Sequence, residues 1–288
     1  MTAVPLPGQP VADAVFADLA PRIDALVASG HRPGLATILV GDDPASAGYI
    51  RVKQEKAETI GFTAPHVHLS ADATQADLES VIRSFNEDPS VDGMLVQHPA
   101  PDQIDYEAAL SLIDPDKDVD GAHPLNMGRL ALGLPGPVPC TPAGIEALLA
   151  HYEIPVSGRE VCVLGRGFTL GRPLALLLSL KRPTANAAVT VVHTGVPDWP
   201  RYTQRAEIVV AAAGVPGILQ PEHISPGSVV IGGGVRYEGR KLLPDVDERC
   251  EEVAGWITPR LGGVGPTTIA MLFRNAVEAA ERRSGQAG

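Results

Sequence analysis

The 288-residue chain is 44% apolar, 20% charged and only 4% aromatic, a balance that suits a soluble α/β protein and excludes a disordered one. A net charge of −11 leaves no basic patch for nucleic acid or an anionic membrane surface. Cys140, Cys162 and Cys250 have neither metal-binding spacing nor the pattern of a disulfide framework, as expected in a reduced cytoplasm. No apolar run reaches the roughly 18 residues of a membrane span. No basic residue precedes Arg22, so a secretory leader is not expected. The length suits one large or two modest domains.

In chain order, Val11 to Ser29 has helical apolar spacing through Val15, Leu19, Ile23 and Leu26, and Gly30 is a plausible C-cap. Leu35 to Val40 reads as a strand ending at Gly41. Asp42-Asp43-Pro44-Ala45-Ser46 opens a helix to about Ile60, closed by Gly61. Thr63 to Leu69 alternates as a strand, Thr74 caps a helix to Asn86, and Val91 to Val96 is a further strand. This αβαβαβ order favours parallel strands covered by helices. Asp114 to Pro139 reads as a proline-rich loop, after which Thr141-Pro142 caps a helix to about His151.

The central feature follows. Val161 to Leu164 is an apolar strand, Gly165-Arg166-Gly167-Phe168-Thr169-Leu170-Gly171 is a glycine turn, and Leu174 to Leu180 is helical. Strand, glycine turn and helix form the context in which a pyrophosphate approaches bare backbone and the N–H groups of a helix start. The spacing is one residue longer than the common dinucleotide fingerprint, and alone it fits an ordinary αβ turn equally well. Strands Val189 to His193, Ile208 to Ala212 and Val229 to Ile231 continue the pattern. A short or broken helix is expected over Asp198 to Arg205, where Pro200 interrupts. Gly262-Gly263-Val264-Gly265-Pro266 then leads into a helix from Thr267 to about Arg283.

Several residues point to chemistry. The second strand of the dinucleotide half ends in His193-Thr194-Gly195, without the acid that would hold a ribose 2′-hydroxyl. Arg166 lies in the turn, where a guanidinium suits a 2′-phosphate, so NADP is favoured over NAD. Tyr49 and Lys53 are four apart and share a helix face, a usable proton-handling pair if the amine's pKa is depressed. Taken alone, such a pair is more often two exposed residues on a polar helix. Short-chain dehydrogenases carry the same spacing after their cofactor turn; here it precedes the turn by more than 100 residues. Gln97 stands at the carboxyl end of a strand, where open α/β sheets place ligand groups, and is followed by the rigid His98-Pro99-Ala100-Pro101. Asp118 and Asp120 are paired loop acids, either functional or merely solvated, and lack the further acids of a calcium loop. His66 and His68 share a strand face without a third ligand, and no metal is expected.

Taken together, these pieces resemble the bifunctional methylenetetrahydrofolate dehydrogenase/cyclohydrolase family over nearly the whole chain. The resemblance rests on Val40 to Ser46 with Tyr49 and Lys53, Asp92 to Gln97, Lys117 to Gly121, and His123-Pro124 with Asn126 and Gly128-Arg129. Pro139 to Pro142, Gly165 to Pro173 and Gly262 to Pro266 complete the ordered set. It implies two α/β domains with mostly parallel sheets and a cleft between them. Residues 1–140 with 267–288 would form the folate domain and 141–266 a Rossmann-like NADP domain, with helices 141–151 and 267–283 as struts. It implies Lys53 as catalytic amine, Gln97 as the partner that orients it, Tyr49 as a stacking face for folate and Asp120 as the pterin anchor. Thr141, Gly165, Arg166, Gly167, Thr194, Val235 and Thr268 match cofactor-side positions, and Gly262, Gly265 and Pro266 match the loop over folate and nicotinamide. A cytoplasmic homodimer is implied, with a small-molecule folate as substrate.

The family pattern is not complete. Gly167 replaces a usual Ser, Gly195 a usual Arg or Lys, Gly232 a usual Asp, Ala143 a basic residue, Leu261 a Pro, and His98 a common Leu. These departures fall mostly on the cofactor side. They leave open a dehydrogenase that prefers NAD or lacks the cyclohydrolase, and a folate-binding paralogue without turnover.

Overall fold

A computed structural model describes residues 2–238 and 241–285. The first half of the chain runs β1 (Val4–Pro5), α1 (Gln9–Ala28), β2 (Leu35–Val40), α2 (Pro44–Thr59), β3 (His66–Leu69), α3 (Gln75–Glu87), β4 (Gly93–Val96), α4 (Tyr106–Leu112) and α5 (Pro124–Leu132). The second half runs α6 (Cys140–His151), β5 (Glu160–Leu164), α7 (Gly171–Ser179), β6 (Ala188–Val192), α8 (Pro200–Arg205), β7 (Ile208–Ala211) and β8 (Val229–Gly232). It ends with β9 (Val235–Glu238), β10 (Lys241–Pro244), β11 (Trp256–Ile257) and α9 (Val264–Ser284). Two compact units result. One comprises Val15–Arg129, Pro135–Val138 and Leu272–Gly288; the other comprises Met1–Ala14, Leu130–Leu134 and Pro139–Met271.

The first unit carries a parallel three-stranded sheet in the order β3-β2-β4. All six residues of β2 are buried, as a central parallel strand covered on both faces requires. Local signals set its helices. The Asp43 carboxylate accepts from Ser46 N at 2.8 Å, and Pro44 occupies the first helical position of α2. Thr74 and Asp77 close a reciprocal capping box on α3. Gly30 and Gly61 take φ of +86° and +85° at helix ends. The core gathers around Phe273, fully buried, whose ring lies 5.9 Å from Phe16 and 5.4 Å, edge-on, from Phe62. The strand expected from Thr63 is regular only from His66, with Thr63 reduced to a bridge to Gly34. The stretch expected as loop contains α5, because Pro124 begins a helix rather than breaking one.

The second unit is a doubly wound sheet of six parallel strands in the order β1-β11-β8-β7-β5-β6. β5 sits between β6 and β7, so the winding direction reverses beside it, and the glycine turn leaves its carboxyl end there. Residues expected with the folate half enter this unit, since Val4 and Pro5 pair with Trp256 and Ile257. The antiparallel hairpin β9–β10 also lies outside the sequence expectation. Thr141 is not a cap; Pro139 holds that position without a side-chain bond, and Thr141 lies inside the first turn of α6. α9 starts three residues before Thr267, which places Gly265 and Pro266 within its first turn. α9 contributes residues to both units, whereas α6 lies wholly in the second. No helix among the described residues is long and apolar enough to cross a membrane.

Candidate active site

The first unit brings Lys53 and Gln97 together. Lys53 sits one turn after Tyr49 on α2, and its Nζ donates to Gln97 Oε1 at 3.1 Å. Gln97 follows β4 directly, its backbone N held by Ile38 O at 2.8 Å, and its Nε2 donates to His98 O at 2.7 Å. The amide is thus fixed at both ends, with its oxygen turned to Lys53 Nζ. Lys53 and Gln97 are half-buried and Tyr49 is 40% exposed, so one side of the trio faces outward. Beside Gln97, the His98 ring meets Tyr106 edge-on at 5.0 Å, and partial burial pushes the imidazole pKa down, toward the neutral ring. Tyr106 donates to Val96 O at 3.0 Å, and burial together with the charges of Asp120 and Asp118 drives its phenol pKa far above the ordinary range.

The two loop acids have different environments. Asp118 is buried and accepts from Ala122 N at 3.2 Å, His123 N at 2.8 Å and Asn126 Nδ2 at 2.9 Å. It therefore shapes the loop. Asp120 is half-buried and within electrostatic reach of Tyr106. Behind them Lys117 is 1% exposed, and its Nζ donates to Phe85 O, Asn86 O and Asp88 O, each at 2.8 Å, capping the carboxyl end of α3. Burial and the nearby Arg283 push its pKa down, while Asp114, Asp88 and Asp92 oppose. Asn275 Nδ2 secures Val119 O at 2.8 Å. Sequence reasoning missed Lys117, Asp118, Asn126 and Asn275 as anchors. Lys117, Asp118 and Asn126 stand in the motifs that carry the family resemblance, but no local pattern marks them, or Asn275 in α9, as buried.

His66 and His68 are occupied locally. His66 Nδ1 lies 2.9 Å from Thr37 Oγ1, and His68 Nε2 lies 2.9 Å from Gly41 O. No cluster of three His, Cys, Asp or Glu suited to a metal occurs among the described residues.

In the second unit Gly165 to Gly167, Thr194 and Val235 come after the carboxyl ends of β5, β6 and β8. Gly165 has φ +132°, and a Cβ there would overlap Ala212 O; a Cβ on Gly171 would overlap Gly165 O. Only glycine permits this approach of turn to sheet. Gly167, by contrast, faces open space, and Arg166 beside it is exposed. Thr194, Gly195 and Val235 are exposed as well. Thr268 donates to Thr141 Oγ1 at 3.3 Å, joining the starts of α9 and α6. Gly262 takes φ +74°, and its carbonyl accepts from Gly8 N at 2.8 Å, which ties the glycine loop to the N-terminal segment. A bare-backbone turn, a helix start and an exposed guanidinium form a cradle suited to a phosphorylated dinucleotide.

The model for the tetrahydrofolate dehydrogenase/cyclohydrolase catalytic domain matches residues 6–120, and that for the NAD(P)-binding domain of the same family matches residues 139–284. The chain belongs to the tetrahydrofolate dehydrogenase/cyclohydrolase family. "Bifunctional protein FolD 1" of Salinispora tropica is 68% identical over 277 residues, spanning 96% of this chain and 90% of that protein. "Bifunctional protein FolD" of Syntrophotalea carbinolica is 58% identical, spanning 100% of this chain and 99% of that one. The methylenetetrahydrofolate dehydrogenase-cyclohydrolase of Trypanosoma brucei, solved with NADP cofactor and an inhibitor, superposes with a TM-score of 0.90 at 37% identity, covering 98% of each chain.

Proposed function

We propose that the chain oxidises 5,10-methylenetetrahydrofolate with NADP and then hydrolyses the 5,10-methenyl product to 10-formyltetrahydrofolate, with Lys53 as the residue that separates the two steps. The observation carrying this reading is the 3.1 Å bond from Lys53 Nζ to Gln97 Oε1 at the open end of β4. When bound, the nicotinamide accepts the hydride that leaves the one-carbon bridge. This chain's part in that step is placement: Asp120 holds the pterin by its paired N–H donors, and Tyr49 lies against the folate ring system.

Hydrolysis asks more of the protein. Water adds to the methenyl carbon, the carbon–nitrogen bond to the ring breaks, and that nitrogen gains a proton. Water gives up two protons, one of which reaches the ring nitrogen while the other goes to solvent. A neutral Lys53 amine takes the first as water attacks and hands it on, while Gln97 keeps Nζ over the reacting carbon. Arg166, Gly165, Gly167, Thr141, Thr194, Val235 and Thr268 would hold the dinucleotide, and Gly262, Gly265 and Pro266 the ring systems at the junction of the two ligands. The protein acts as a cytosolic homodimer in this reading.

Lys53→Met keeps the aliphatic stem and removes the proton-handling group. Cyclohydrolase activity, followed by decay of methenyl absorbance, should fall by about 10²–10⁴-fold, and NADP reduction by much less. An equal fall in both with folate still bound would make Lys53 a shared positioning group and end the proposed mechanism. A second reading, preference for NAD, is favoured by exposed Gly167 and Gly195, which offer neither hydroxyl nor cation to a 2′-phosphate. Initial rates with each dinucleotide separate the two.

A further inference from the structure

We infer that Asp245 is a positioning residue of the dinucleotide edge, an inference that rests on the cofactor reading above. Asp245 follows β10, within a run of acids that reads as surface in the sequence, yet it is fully buried. Its Oδ2 accepts from Ala213 N at 2.7 Å and from Gly214 N at 2.8 Å, and the Val215 amide adds to the same carboxylate. Its own backbone N donates to Gly234 O at 3.1 Å. A Cβ at position 234 would overlap Oδ2, so glycine there lets the carboxylate pass. One residue, through its side chain and its backbone N–H, thus holds two segments at the carboxyl ends of β7 and β8.

Both segments bear on the glycine turn. Gly165 abuts Ala212 O and Ala213 N so closely that it has no room for a Cβ, and Gly233 N and Gly234 N both donate to Ala211 O. The segment that Asp245 holds from below is therefore the surface against which the phosphate-binding turn packs. Its outer side stays open: Gly214 is exposed, and Val215 and Val235 are 41% and 42% exposed. Such an arrangement, anchored inside and apolar outside, suits a flat heteroaromatic ring, the chemistry of a nucleotide base.

The anchor is an unfavourable one for stability alone. Oδ1 is buried without a hydrogen-bond partner among the described residues, and burial pushes the carboxyl pKa up despite the amide bonds that act against it. In its charged form the carboxylate gives its amide bonds the strength of ionic acceptors, and that strength is what a rigid cofactor edge needs.

Asp245→Asn tests this. The amide keeps the shape and one oxygen but removes the charge. Dinucleotide affinity is read by calorimetric titration with NADP, independent of turnover, beside the KM for NADP. Both constants should weaken roughly fivefold to tenfold, the difference between charged and neutral bonds. Hydrolysis of methenyltetrahydrofolate without dinucleotide should hold its rate, and circular dichroism should show an intact fold. Gly234→Ala, which displaces the carboxylate from the opposite side, should reproduce the same split. Unchanged NADP affinity in a folded Asp245→Asn, or a cyclohydrolase loss of the same factor, overturns the inference. Wild-type protein that binds NADP without turning it over would defeat the catalytic reading while leaving this comparison of affinities valid.

Discussion

The two units build their sites from different material. In the first, the candidate site is made of side chains: Lys53 on α2 donates to Gln97 after β4, while the buried Lys117 and Asp118 hold the end of α3 and the loop before α5. In the second, the candidate site is bare backbone: Gly165 and Gly171 let turn and sheet approach to distances that no side chain allows. A site made of side chains fails when a functional group is deleted. A site made of backbone fails when an atom is added. The two therefore call for opposite experiments.

The largest expected effect is an addition. Gly165→Ala introduces a Cβ that would overlap Ala212 O, at a φ of +132° that L-residues avoid. It should cost roughly 3 kcal/mol or more, seen as a lower urea midpoint. A midpoint equal to wild type would show that the turn can move aside, and that the backbone is not the constraint.

Deletion in the first unit comes next. Lys117→Met keeps the buried stem and strips three charged bonds from the end of α3. Unfolding free energy should fall by about 2–3 kcal/mol, with folate binding weakened and NADP binding retained. An unchanged midpoint would mean that the cost of burying the ammonium had cancelled its bonds.

Arg166→Ala deletes the one charged side chain in the glycine turn, and should weaken NADP by about 1.5–3 kcal/mol while leaving NAD nearly unaltered. Equal losses in calorimetric titrations would make Arg166 a support of the turn rather than a reader of the phosphate. The smallest effect is another addition. Gly167→Ser enters open space two residues beyond Gly165, so stability should stay within about 0.5 kcal/mol of wild type. A large loss there would refute the distinction between crowded and open glycines on which the comparison stands.

What could be read in advance follows local physics. β2 was legible to the residue because a run that is apolar at all but Thr37 needs no partner to be recognised, and α2 and α3 were legible because Asp43 and Thr74 announce them. The pairing of Lys53 with Gln97 was legible only through resemblance, since 44 residues separate them. β1 and β11 have two residues each, too few for any periodicity, and exist because each lies along another strand. α5 was hidden by Pro124, which looks like a breaker until a helix is seen to begin at it. Asp118 and Asp245 were illegible for different reasons. Asp245 takes its amides from Ala213 and Gly214 in another segment, whereas Asp118 finds Ala122 N and His123 N close by, in a loop whose turn no local pattern announces.

The pairing of β1 with β11 has a consequence for how the chain is made. Val4 finds Trp256 across almost the entire length of the polypeptide, and Phe273 is the buried ring between Phe16 and Phe62 in the other unit. Each unit thus joins an early segment to a late one. During synthesis from the amino end, neither unit is complete until its late segment has emerged. Contacts of such long sequence separation also slow folding, because the loop must be drawn together before the contact stabilises it. Until then β2, apolar at all but Thr37, lacks the late segment that completes its unit.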